Sequence, residues 1–210
     1  MRLREGVWYP DSEERLHRGH SAVWTIDQFI KPHLRSTEYC VQAGGAVGVW
    51  PLKFAEIFDK VYTFEPNPVL WECMQRNFAE YPSDNIEAMH AAVYSESGGT
   101  ADMVDIQSNN MGAWHIKFSD DEDKPPVVAL DDLQLPGCDL LQLDIEGAEI
   151  HALKGAKETI MAYRPAIVVE VKAPTLRAFH QSVEELHSVI GRRGYKRLKA
   201  FARDEMWIPL

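Results

Sequence analysis

The chain is short of cysteine, of basic residues and of long apolar runs, and each shortage removes a class of function. Only three cysteines occur in 210 residues. Cys40, Cys73 and Cys138 are widely spaced, form no Cys-x-x-Cys pair, and as an odd count suit a disulfide framework poorly. Each sits in an apolar segment, the setting of a buried free thiol in a reducing compartment, so a cytoplasmic location is expected. Lys and Arg number 22 against 32 Asp and Glu, a formal charge of −10. Such a chain repels phosphate backbones, and no nucleic-acid partner is expected. Apolar stretches such as 166–169 are far too short to cross a bilayer, and Met1-Arg-Leu-Arg-Glu5 lacks the apolar run of a signal peptide. No membrane association is expected either. Internal repeats are absent.

What is present, from about Glu38 onward, is an alternation of strand and helix patterns, the mark of a mostly parallel sheet with helices on its faces. Residues 39–43 form an apolar strand that runs into Gly44-Gly45, and Trp50, Phe54 and Ile57/Phe58 follow at helical spacing. A second strand covers 61–64. Asn67 then reads as an N-cap with Pro68 at the first helical position, opening a helix to about Tyr81. Strands are expected at 86–93 and 101–106, and a surface loop or lid over 107–126. Residues 140–143 form the next strand, and Ala152, Leu153, Ala156 and Ile160 share one face of the helix after it. A strand at 166–171, an amphipathic helix marked by Leu176 to Ile190, and a closing hairpin at 195–201 and 206–208 complete the pattern. The chain divides into an extension, 1–35, ending in a helix around Val23 to Ile30, and one α/β domain, 36–210.

Three features carry chemistry. Gln42-Ala-Gly-Gly-Ala-Val-Gly48 is a small-residue turn between a strand and a helix, where a backbone can approach a ligand and helix N–H groups are on offer. It matches Gly-x-Gly-x-x-Gly in no register. Glu65 ends the second strand, where a carboxylate can accept from both hydroxyls of a ribose. Together these indicate an adenosine-containing cofactor without choosing among such cofactors. The third is Leu143-Asp-Ile-Glu-Gly-Ala-Glu149, which crowds three carboxylates at the carboxyl edge of the sheet, where ligands of open α/β sheets bind.

These stretches resemble the FkbM-type methyltransferases. The resemblance runs in order through Val41–Gly48, Thr63-Phe-Glu-Pro-Asn-Pro68, Ala92-Val-Tyr-Ser-Glu-Ser-Gly98, Leu130-Asp-Asp-Leu133, Leu143–Glu149 with Leu153-Lys-Gly-Ala156, and Arg164-Pro165 on to Glu170. It implies a Rossmann-like class I fold: seven strands, mostly parallel, with a C-terminal antiparallel hairpin and helices on both faces. It also implies S-adenosyl-L-methionine as cofactor, S-adenosyl-L-homocysteine as product, and transfer to oxygen, often on sugar or polyketide hydroxyls. By the same resemblance Gly44 and Gly48 flank the methionine part, Glu65 holds the ribose, and Asp144 lies beside the transferred methyl. Gln42, Gly45, Asn67 and Ala92 complete the expected cofactor set. The chain departs from the family pattern at Gln42, where an acid is usual, and at Gln142, where a lysine is.

Methyl transfer is an in-line displacement at an already activated carbon, so alignment is the main task and a base need only take the hydroxyl proton. Asp144 is the expected base, with Glu146 beside it; Asp-x-Glu brings no further oxygen ligands in sequence, and no metal is expected. The acceptor, a small hydroxylated molecule or glycan, would meet Trp8, Asp11 and His17 of the extension and Asn109, Asn110 and His115 of the lid. Two rival functions are open: an adenosine-binding module without turnover, which would explain the departures, and an NAD oxidoreductase, which normally needs a substrate domain this length does not provide. A protein-interaction role explains none of the strand-end acids. Oligomeric state is not legible.

Overall fold

The computed structural model describes residues 1–12, 23, 25–104, 114–201 and 203–210. Seven strands form the central sheet: β1 (Tyr39–Ala43), β2 (Lys60–Phe64), β3 (Ile86–Met89), β4 (Leu140–Leu143), β5 (Ala166–Glu170), β6 (Tyr195–Phe201) and β7 (Asp204–Pro209). Their order is β3-β2-β1-β4-β5-β7-β6. The first five are parallel, and β7 runs antiparallel to both β5 and β6, as the expected hairpin requires. Among the described residues there are six α-helices: α1 (Val49–Ala55), α2 (Pro68–Glu80), α3 (Glu149–Gly155), α4 (Lys157–Tyr163), α5 (Ala173–Ala178) and α6 (Val183–Gly191). No helix among the described residues is long and apolar enough to cross a membrane.

Alternation along the strands makes the two faces of the sheet. Val41, Ala43, Tyr62, Phe64, Leu141, Leu143, Ile167 and Val169 point into one core with Ile150 and Leu153 of α3, Ile160 of α4 and Leu186 and Ile190 of α6. Cys40, Val61, Leu140 and Val168 point the other way, onto Phe54 of α1, Phe58, and Ile26 and Ile30 of the extension. A strand covered on both faces must be apolar throughout, which is why β4 and β5 read as continuous hydrophobic runs. Full burial of a side chain such as Phe54 contributes roughly 1.5–3 kcal/mol. β1 lies between β2 and β4, and the chain leaves it toward opposite sides of the sheet. That point of reversal, at the carboxyl ends of β1 and β4, is where an open α/β sheet has a crevice.

Several local expectations need correction. β3 stops at Met89 because His90 turns away, its ring 3.2 Å from the Pro66 carbonyl and stacked on Trp71. Ala92–Val93 instead pairs with Val127–Val128 in a separate two-stranded sheet. Thr100–Val104 forms an antiparallel hairpin with His115–Ser119, so the middle of the expected lid is a strand; 105–113, the end of the expected strand and the start of the lid, lies outside the described residues. Both long helices are broken. α3 ends at Gly155, where a Cβ would stand 2.2 Å from the Tyr94 carbonyl, and α4 starts afresh with its first N–H groups bonded to Asp131. α5 ends before His180, which adopts φ +56°, and Ser182 caps α6 through the Glu185 N–H. In the extension the expected helix is one π turn, Ile26–Ile30, followed by a 3-10 turn.

Candidate active site

The glycine turn closes against the sheet by shape. Gly44 has φ +94°, and a Cβ there would stand 1.9 Å from the Asp144 carbonyl oxygen. Gly48, at φ +92°, would press a Cβ into Phe78 and Met74 of α2. Only glycine satisfies both the dihedral and the space. The expectation of free N–H donors in this turn is corrected at four positions. The N–H groups of Gly44 and Gly45 both go to the Phe64 carbonyl, that of Gly48 to Gly45, and that of Ala46 to Glu65. These four hold the loop in place, as does Gln42, whose buried amide donates to the Gly44 carbonyl at 2.8 Å and accepts from the Thr63 hydroxyl.

Glu65 stands at the end of β2 and is 4% exposed. One carboxylate oxygen accepts from Ala46 N and the other from Asn67 N, each at 2.7 Å. Burial pushes its carboxyl up to about 7, against the pull of those two N–H groups. Each oxygen keeps a second lone pair, so the group that ties the turn to β2 can still accept from a diol. Asn67 is the predicted cap: its side-chain oxygen accepts from Val69 N and Leu70 N. Its Nδ2 is buried with no hydrogen-bond partner among the described residues. Ala92 packs with Ala101 and Val127, and its N–H goes to the Pro126 carbonyl, leaving neither methyl nor N–H for a ligand.

Across the crevice, the Asp144–Glu149 turn is built by its last acid. Glu149 is buried and one oxygen accepts from Ile145 N and Gly147 N, while burial pushes its carboxyl up to about 7. Glu149, rather than Asp144, braces this turn. Gly147, at φ +110°, lets the chain pass the Thr175 carbonyl, 2.5 Å from where a Cβ would stand. Glu146 takes the left-handed conformation, φ +53°, and is buried.

Two residues the sequence reading missed complete this side. Glu170, the last residue of β5, brings a carboxylate oxygen that lies, with one from Asp144 and one from Glu146, in a group spanning no more than 4.8 Å. Lys172 stands among them, its Nζ 2.7 Å from Glu146 and 2.8 Å from Glu170. Asp204 faces Glu170 across the β5–β7 ladder, and burial with the nearby Asp144 charge lifts it to about 7. Burial first, then the Asp144 and Glu146 charges, raise Glu170 well above the carboxylate range. Burial works against the Lys172 ammonium, but Asp144, Glu170 and Glu146 outweigh it and hold the proton firmly. An acid two residues before a lysine at a strand end was the available signal; only sheet order shows that it adjoins Asp144.

The acceptor candidates divide. His115 is buried beside the Glu146 backbone, edge-on to Phe179, and burial lowers its pKa, favouring the neutral imidazole. Neither ring nitrogen has a hydrogen-bond partner among the described residues. Trp8 is corrected: the Arg76 guanidinium covers its ring at 3.4 Å and its backbone bonds Asn77, so it fastens the extension to α2. Tyr9 and Trp114 pack on Val47 beside the glycine turn. Asp11 is exposed and paired with the Met1 amine. His17, Asn109 and Asn110 lie outside the described residues.

A family model, the methyltransferase FkbM domain, matches residues 44–197. The chain belongs to this family. Among curated proteins, methyltransferase sdnD of Sordaria araneosa is similar at 25% identity over 193 residues, 74% of each chain. A solved FkbM methyltransferase from Methylobacillus flagellatus KT superposes with a TM-score of 0.56 at 19% identity, over 90% of this chain and 47% of that one. The chain thus spans about half the length of that relative. A precorrin-6y C5,15-methyltransferase from Geobacter metallireducens GS-15 gives 0.53 at 10% identity, over 96% of this chain and 93% of the other. These likenesses place the FkbM domain among class I methyltransferases by fold. Its motif residues now have local reasons: Asp131 caps α4, Gly155 touches the Tyr94 carbonyl, and Arg164 donates to the Arg193 and Gly194 carbonyls.

Proposed function

We propose that this FkbM domain is an S-adenosylmethionine-dependent O-methyltransferase acting on a hydroxyl of a sugar or other small hydroxylated molecule, in a reducing compartment such as the cytoplasm. The observation that carries the reading is Glu65, a buried carboxylate at the end of β2, tied to the glycine turn and keeping lone pairs for a ribose diol. The residues fit the cofactor: Gly44 lets the turn pack backbone to backbone on Asp144, which brings the carboxyl ends of β1 and β4 to the same crevice as Glu65. When bound, S-adenosylmethionine supplies a methyl group on a sulfonium. The chain does the rest. Gly44 to Gly48 and Glu65 set the position of the cofactor, and Asp144, at the end of β4 across the crevice, accepts the acceptor's hydroxyl proton as the new bond forms. His115 offers a second, neutral base beside Glu146. The buried free thiols of Cys40, Cys73 and Cys138 support the compartment.

Calorimetry with S-adenosylhomocysteine and with NAD tests the reading. S-adenosylhomocysteine should bind, and Glu65→Ala should weaken it by about 1.5–3 kcal/mol, the worth of a charged hydrogen-bond partner. Tight binding of NAD with no response to S-adenosylhomocysteine would overturn it. Labelled-methyl transfer to a panel of sugars and hydroxylated metabolites then identifies the acceptor class.

A further inference from the structure

Three carboxyl oxygens within 4.8 Å of one another cannot all stay charged in a mostly buried site unless a proton or a cation stands among them. That spacing is one a divalent ion could bridge, with metal–oxygen distances of about 2.0–2.6 Å. We infer that Lys172 is the resident cation of this site, a positioning residue that ties back Glu146 and Glu170 and fills the place a divalent ion would take.

The geometry supports this from both ends of the side chain. At its root, the Lys172 carbonyl accepts from the Thr175 hydroxyl at 3.0 Å and from Leu176 N at 3.1 Å, so the backbone is fixed at the start of α5. At its tip, Nζ sits at ammonium–carboxylate contact distance from both glutamates. A metal bound to the same two oxygens would overlap that nitrogen, so the two cations exclude one another. Among the described residues, the other charged or titratable groups that act on the cluster are Glu149 and Glu65 through Asp144, Asp204 and Arg203 at the β6–β7 turn, and His115 on the hairpin. Among the described residues Asp144 makes no ion pair. Lys172 therefore touches two of the three carboxyls, while Asp144 is hydrogen-bonded to Glu170 and meets a substrate proton from that anchored position. This role rests on the proposed methyl transfer at Asp144; the cation exchange does not.

The test uses Mn2+ alone, read by loss of its free electron paramagnetic resonance signal, with S-adenosylhomocysteine binding as the check of fold. Wild type should bind no Mn2+ saturably up to about 1 mM, in the range of weak protein sites. Lys172→Met keeps the aliphatic stem and should bind Mn2+ at least about tenfold more tightly, a difference Glu170→Gln abolishes in the double variant. Lys172→Arg should restore the wild-type result, since charge and not stem length is what counts. Saturable Mn2+ binding by wild type that Glu170→Gln removes would overturn the inference, whatever the fate of Lys172→Met. So would a folded Lys172→Met that binds no Mn2+. Failure to bind S-adenosylhomocysteine in wild type would instead count against the cofactor reading.

Discussion

The two sides of the crevice solve one problem, a buried carboxylate, by different means. On the β1–β2 side Glu65 is held by two backbone N–H groups from its own neighbourhood, Ala46 and Asn67. On the β4–β5 side Glu146 and Glu170 are held by an ammonium that comes from beyond the end of β5. The first arrangement is local, neutral in its donors, and leaves the carboxylate's charge to be used on a ligand. The second is assembled from separate strands and sets one ammonium against acids whose crowding makes Glu170 hold its proton. A binding site needs a fixed acceptor, whereas a reacting site needs a proton acceptor whose neighbours are held in place.

The largest effect expected from breaking this contrast is at the contact joining the two sides. Gly44→Ala puts a methyl 1.9 Å from the Asp144 carbonyl at a positive φ. It should cost more than about 4 kcal/mol in denaturant unfolding, or leave no folded protein. A loss below about 1 kcal/mol would show that the turn relaxes independently of β4.

Next comes Asp144→Asn, once an acceptor is in hand. Turnover should fall by about 10²–10⁴ with little change in S-adenosylhomocysteine affinity, because the lost interaction belongs to proton transfer. Equal loss in both would make Asp144 a binding residue and move the base to His115.

The third prediction concerns pH and Glu65 alone. Its folded-state pKa, about 7, lies above the ordinary 4.5. Between those values the folded chain carries a proton that the unfolded chain has released, so this group's contribution is full at low pH and lost as pH rises through 7. Wild type minus Glu65→Gln, followed by unfolding from pH 5 to 8, should show this slope, up to about 3 kcal/mol. S-adenosylhomocysteine affinity should move oppositely, strengthening as Glu65 ionises. A flat difference profile would mean that the two N–H groups keep Glu65 charged throughout.

The smallest effect should be Trp8→Ala, remote from both carboxylate groups. Losing the Arg76 contact and the packing on α2 should cost about 1–2 kcal/mol of stability and leave cofactor affinity nearly unchanged. Loss of methyl transfer with affinity intact would return Trp8 to the acceptor site.

What the sequence determined by itself was whatever depends on near neighbours. The Asn67 cap with Pro68, the strands β1, β2, β4 and β5, the glycine turn and the closing hairpin all follow from periodicity and backbone sterics, which act over a few residues. Helix lengths did not follow, because Gly155 and His180 end α3 and α5 for reasons set by the Tyr94 carbonyl and by a change of direction. Trp8 offered an aromatic surface in sequence and found a guanidinium on α2 instead. Glu170 and Lys172 looked like the end of one more strand. Only the pairing of β5 with β4, and of β7 with β5, brings Glu170, Asp144 and Asp204 together, and charges far apart in the chain acquire their meaning from the distances that sheet order imposes.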